Sequence, residues 1–200
     1  YNSLKEVFKG RSAKQLYSTH LSAYSGLEMG KHIVRWITNH DEHAWEATPQ
    51  QTFGGEAASR VAFLITSYMG GVPLVYNGQE VAIPYQLPFF AGNTTTIDWN
   101  NQPEVKTEYA RILNLRMENR ALQNGVLQDF STDNVVAFQR ASDTNALLIF
   151  VNVRAIPRNH QLPPSIANTS WRDAFDNAEV QLGSTLGLKP FEYKVFKKQI

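Results

Sequence analysis

Thr38, Asn39, His40, Asp41 and Glu42 set an amide, an imidazole and two carboxylates directly after the bulky run Val34-Arg35-Trp36-Ile37. A buried strand that empties into such a cluster is where α/β proteins often carry chemistry, just outside the carboxyl end of the sheet. A carboxylate beside an imidazole suits holding the hydroxyls of a polyol while stabilising positive charge. A second task is open to His40, His43 and Glu46. Two imidazoles three apart plus a carboxylate can ligate zinc, provided the stretch is helical and the rings converge. The stretch lacks a helical apolar period, which argues against a metal. The plainer alternative is a strand followed by a solvated turn.

Other chemistries lack local support. There is no G-x-x-x-x-G-K or G-x-G-x-x-G phosphate loop and no G-x-S-x-G elbow. The chain has no cysteine, so disulfide and thiolate chemistry are excluded while the compartment stays open. A net charge of +1 over 200 residues, with dispersed basic groups, makes no electrostatic case for nucleic acid or an anionic membrane. Lys194, Lys197 and Lys198 read as a solvated strand end. No apolar run approaches the roughly 18 to 20 residues that span a bilayer. The chain opens on Tyr1 already in a helix-like pattern, which suggests the later part of something longer.

The elements that would position the cluster follow from periodicity. Residues 3–9 read as a short helix stopped by Gly10. Ser12 with Gln15 has the form of a capping box, opening a helix whose stripe includes Ala13, Leu16, Tyr17, His20, Leu21 and Tyr24, with Gly26 as terminator. His20 on that stripe reads as a packed histidine. After the polar exit, residues 43–55 show no period and read as a loop. Residues 56–68 read as a helix covering a sheet, ended by Gly70-Gly71. Residues 72–76 read as a strand buried on both faces. Helix, strand, helix, strand implies parallel strands, which would bring Asp41 and Glu80 to one sheet edge. The long loop 82–103 carries Tyr85, Phe89, Phe90 and Trp99, either an aromatic wall suited to sugar rings or rings that pin the loop down. Residues 104–122 read as one long helix. From 126 the texture changes to short strands at 126–130, 135–140, 146–153, 171–174, 180–182 and 191–196, separated by turn clusters. That predicts an all-β sandwich with a boundary near residue 125.

Ile37-Thr38-Asn39-His40-Asp41 resembles the motif at the seventh barrel strand of the α-amylase family of glycoside hydrolases. Gly71-Val72-Pro73-Leu74-Val75-Tyr76-Asn77-Gly78-Gln79-Glu80 resembles that family's eighth strand and its exit. Ile97-Asp98-Trp99 resembles the loop that comes next. Leu113-Asn114-Leu115-Arg116 with Ala121-Leu122 and Gly125 resembles the eighth helix and its end. An Asn-His-Asp triplet alone is a weak signal, but the ordered set covers nearly the whole chain.

The resemblance implies α/β plus all-β architecture: residues 1–125 as the C-terminal part of a (β/α)8 TIM barrel and residues 126–200 as an antiparallel β-sandwich. It implies a retaining glycosidase acting on the α-1,4 bonds of starch-type glucans or maltooligosaccharides. His40 would hydrogen-bond sugar hydroxyls at the cleavage point. Asp41 would be the third catalytic carboxylate, gripping the ring and favouring an oxocarbenium-like state, and Asn39 would position both. Nucleophile and general acid, roughly 5 Å apart in retaining enzymes, belong in this family to the fourth and fifth strands, and no segment here resembles either. Nothing places Glu42, Glu46 or Glu80 to replace them; Glu80 reads as an edge residue hydrogen-bonded within the barrel mouth. The isolated segment is therefore expected to be inactive and, with open strand edges, either to associate with other chains or to be the ordered remnant of a longer one. Calcium, common in the family, is assigned no ligands in this segment. From other classes, a non-catalytic scaffold with an inherited fold has no chemical need for His40 and Asp41. An independent carbohydrate-binding module at 126–200 lacks convergent surface aromatics.

Overall fold

The computed structural model describes residues 1–90 and 95–200. Gly92 and Thr94 of the long loop lie outside the described residues.

Helix α1 (Asn2–Phe8) buries Leu4 and Val7 and stops before Gly10, whose φ is 110°. Helix α2 (Gln15–Tyr24) begins without the capping box expected of Ser12 and Gln15. The Ser12 hydroxyl donates instead to the Asp133 carboxylate at 2.6 Å, and the Gln15 amide to the Ser3 carbonyl at 2.9 Å. A charged acceptor from a distant turn outcompetes a neutral backbone cap.

The expected parallel pair is present but short. Strand β1 (Val34–Arg35) pairs with β2 (Val72–Pro73), Val34 opposite Val72 and Arg35 opposite Pro73. The expectation of a strand buried on both faces at 72–76 is corrected: Val72 and Leu74 are exposed. Each strand has one neighbour, so pairing ends after two residues and the outer face meets no opposing layer among the described residues.

Between the two strands, the expected loop at 43–55 holds two short helices. Helix α3 (His40–Trp45) starts from an Asn39 cap. Helix α4 (Pro49–Phe53) starts from a Thr48–Gln51 capping box with Pro49 in the first turn. Helices this short complete barely a turn and a half and show no apolar period. Helix α5 (Glu56–Tyr68) covers the pair as its pattern predicts, with Phe63, Leu64 and Tyr68 fully buried. A Cβ on Gly71 would stand 2.6 Å from the Ile33 carbonyl, so only glycine lets the chain turn from α5 into β2 there.

The expected single helix at 104–122 is two: α6 (Pro103–Glu118) and α7 (Arg120–Asn124). Asn119 between them is extended, its amide donating to Leu115 O at 2.7 Å and its carbonyl oxygen accepting from Asn145 at 2.9 Å. A side-chain link to the strand region thus replaces the next helical turn.

The strands that follow are β3 (Val126–Asp129), β4 (Val135–Ala141), β5 (Asn145–Asn152), β6 (Arg158–Gln161), β7 (Ser170–Asp173), β8 (Glu179–Gln181), β9 (Thr185–Leu188) and β10 (Tyr193–Gln199). They form a six-stranded antiparallel sheet, β3-β4-β5-β10-β7-β8, and a β6-β9 ribbon absent from the sequence expectation. Alternation sorts the sheet's side chains. Val136, Phe138, Leu147, Ile149 and Val151 join the core built by the helices. Val135, Ala137, Leu148 and Phe150 face a second core closed by Leu162, Leu182 and Leu188. Both faces are buried, which is why β5 reads as a continuous apolar run.

Candidate functional site

At the end of β1 the chain is anchored by Ile37 and Thr38, both buried. The Asn39 side-chain oxygen then accepts the Asp41 N–H at 2.9 Å and the Glu42 N–H at 3.0 Å. This cap fixes the start of α3 and presents His40 and Asp41 outward from the carboxyl end of the strand. Their side chains are 65% and 59% exposed, with His40 Nε2 standing 3.6 Å from Asp41 Oδ2. The Asn39 side chain thus holds the backbone of Asp41 and Glu42.

The rest of α3 is structural. His43 is buried and its Nε2–H donates to Tyr85 O at 3.3 Å. Burial lowers its pKa, partly opposed by that hydrogen bond, so the ring is neutral near pH 7. Gln86 ties the same helix to the aromatic loop, donating to His43 O and Ala44 O. Glu46 accepts from Lys5 Nζ at 2.6 Å and Tyr1 OH at 2.9 Å, and these two partners hold its carboxyl below the usual range. Burial, with Glu46 and then Asp41 nearby, pushes the half-buried Glu42 up. His40, His43 and Glu46 thus serve three separate environments. Among the described residues no group of three or more His, Cys, Asp or Glu side chains could hold a metal ion.

Glu80 follows β2 on a 3₁₀ turn (Gln79–Val81), and no hydrogen bond or ion pair among the described residues links it to Asp41. The expectation that it hydrogen-bonds within the mouth is corrected: its Oε2 is buried with no hydrogen-bond partner among the described residues. Gln79 takes that part, donating to Tyr109 OH at 3.1 Å and accepting from Tyr76 N at 3.3 Å.

The aromatic residues divide between loop anchoring and open surface. Tyr85 pins the loop, donating to Thr96 O at 2.8 Å. Phe89 lies 5.7 Å from the His40 ring and 5.7 Å from Trp45, with Phe90 against it at 4.9 Å. Phe90 is 72% exposed and Trp99 51%. Phe89, Phe90 and Trp99 line an open cavity of about 450 Å³ with Tyr76 and Asn77. Trp45 was not identified from sequence, because it lies in the segment read as a loop and its partner Phe89 is remote in the chain. A tryptophan five residues beyond His40 was the one available signal.

No protein-family model matches the chain, and no curated protein matches it in sequence. Solved structures do match it. An α-amylase from Anoxybacillus superposes with a TM-score of 0.81 at 14% identity, over 98% of this chain and 45% of that one. An α-amylase from Geobacillus thermoleovorans, crystallised with acarbose, gives 0.78 at 19% identity, over 98% and 46%. A maltogenic α-amylase from Thermotoga neapolitana gives 0.80 at 16% identity, over 100% and 49%. The chain has the fold of the C-terminal part of an α-amylase. It spans less than half the length of each of these three structures. The part of those amylases that it matches holds the end of a barrel and a β-sandwich, and no closed barrel forms among the described residues.

Proposed function

We propose that this chain is the C-terminal segment of an α-amylase-like retaining glycosidase that cleaves α-1,4 bonds in starch-type glucans or maltooligosaccharides. Residues 1–125 then belong to the catalytic barrel and residues 126–200 to the C-terminal sandwich. The observation that carries the reading is the capped start of α3. Asn39 sets His40 and Asp41 at the carboxyl end of a parallel strand, beside an exposed aromatic cluster, within an amylase fold. Apolar ring faces of Phe89, Phe90 and Trp99 suit the C–H faces of pyranose rings. The His40 imidazole and Asp41 carboxylate suit hydroxyls flanking the reacting carbon. Hydrogen bonds that strengthen as the ring gains oxocarbenium character contribute several kcal/mol in such reactions. The structural neighbour crystallised with acarbose supports a glucan-like ligand.

In this reading the nucleophile and general acid come from other segments of the full-length protein, and the 200-residue segment alone is inactive. The test is reducing-sugar release from starch by the full-length protein, with the isolated segment as comparison. Release by the longer protein alone is expected. Absence of release from starch and from maltooligosaccharides by the full-length protein overturns the proposal.

A further inference from the structure

Trp45 lies outside the cavity that Phe89, Phe90 and Trp99 line, yet it belongs to the helix that begins at His40. Its indole is 67% exposed, and the Phe89 ring beside it is 40% exposed. Single exposed apolar side chains are ordinary on a protein surface. Contiguous exposed rings at the carboxyl end of a parallel strand are not, and they mark a place where an apolar surface is met by a ligand.

Phe89 joins two surfaces. It lines the cavity on one side, and on the other its ring centre stands 5.7 Å from His40 and 5.7 Å from Trp45. The ring planes meet at 38° and 35°, so the three rings form a tilted row. Polar bonds fix that row. Gln86 Nε2 donates to His43 O at 3.0 Å and to Ala44 O at 3.2 Å, and His43 Nε2–H donates to Tyr85 O at 3.3 Å. The loop is thus clamped to α3 beside Trp45, a short step before Phe89. Every partner in the clamp belongs to this chain, so the row is held by its own segments and is in place before a ligand arrives.

We propose that Trp45, with Phe89, forms a stacking surface for a glucose unit next to the one held by His40 and Asp41, and so sets a preference for longer α-glucan chains. The inference rests on the glycosidase reading. Trp45 is reached from His40 across Phe89, so a unit stacked on the indole is a neighbour of the unit at His40. The broad apolar face of an indole suits the C–H face of a pyranose, while its N–H edge stays in water with the sugar hydroxyls. Binding energy gained away from the bond being cut is open only to substrates long enough to reach it. A chain that ends at the His40 unit gains nothing from Trp45.

The experiment compares kcat/KM of the full-length protein on the shortest maltooligosaccharide it cleaves and on a chain several glucose units longer. Trp45→Ala is expected to lower the long-to-short ratio about fivefold or more, the effect of losing one aromatic stacking contact. Trp45→Tyr keeps a ring and should retain most of the preference, while Trp45→Leu, apolar without a ring, should lose it. Each variant is first shown to melt as the wild type does. A wild-type ratio in both Trp45→Ala and Trp45→Leu overturns the inference and leaves the glycosidase reading standing. Absence of any hydrolysis by the wild-type full-length protein overturns that reading and this inference with it.

Discussion

The parallel pair and the six-stranded sheet are built from similar sequence and end in opposite states. Val34-Arg35-Trp36-Ile37 and Val72-Pro73-Leu74-Val75 are as apolar as many sheet strands, yet each pairs for only two residues. Val34 and Val72 are exposed, and Trp36 Nε1, Thr38 Oγ1 and Glu80 Oε2 are buried without hydrogen-bond partners among the described residues. In the sheet, β4 and β5 run seven and eight residues with both faces covered. Strand character in a sequence records the surfaces a strand is built to meet. The sheet meets them within this chain, and the pair does not.

That contrast is sharpest in the cores. Phe138→Ala, at a fully buried position of β4, is expected to cost about 3 to 5 kcal/mol in urea unfolding. Val72→Thr, at an exposed position of β2, is expected to change stability by under about 0.5 kcal/mol. Equal losses at both sites would remove the distinction. The link between the regions is next in size. Arg154 donates to Arg11 O at 2.6 Å, Asp133 O at 2.7 Å and Asn134 Oδ1 at 3.0 Å, joining the α1–α2 connection to the turn before β4. Arg154→Ala is expected to cost about 2 kcal/mol by the same measurement. Asn39→Ala should cost about 1 kcal/mol and raise amide exchange mainly at Asp41 and Glu42, leaving the sheet unchanged.

Acid should act on both regions through buried imidazoles. Burial is the first cause lowering the pKa of His20, to about 4, and of His43 and His160. The unfolded chain binds these protons near pH 6.5 and the native chain only further down. Their contribution is therefore intact above pH 6.5 and lost as pH falls toward 4. Melting temperature followed over that range should drop, and the drop should be shallower in His160→Leu. An unchanged slope would assign the acid sensitivity to other groups. The open pair also predicts concentration-dependent association of the isolated chain in gel filtration, where a stable monomer at all concentrations would count against exposed strand edges as a sticking surface.

Much of this organisation was readable from sequence where a pattern repeats. Helix α5 carries several turns of one apolar face, and the β3, β4 and β5 runs are bounded by turn residues. The parallel pairing followed from connectivity alone. What escaped was short or distant in origin. Helices α3 and α4 are too brief for a period, although Thr48, Pro49 and Gln51 spell a helix start. Strand β6 buries only His160 among four mostly polar residues. The break at Asn119 depends on Asn145, and the lost cap at Ser12 on Asp133, neither local. In the site, Asn39-His40-Asp41 was a weak signal alone and stood out through the ordered set of resembling segments that follows it. The place of Trp45 against Phe89 was set by a loop fold that no local pattern encodes.

The role of Asp41 is tested most directly by kcat for maltooligosaccharide hydrolysis in the full-length protein and its Asp41→Asn variant. The substitution keeps the side chain's shape and its place on α3 and removes the negative charge. A carboxylate that stabilises the oxocarbenium-like state predicts a fall in kcat of at least about a hundredfold, with the melting temperature unchanged. Turnover near the wild-type rate would contradict it.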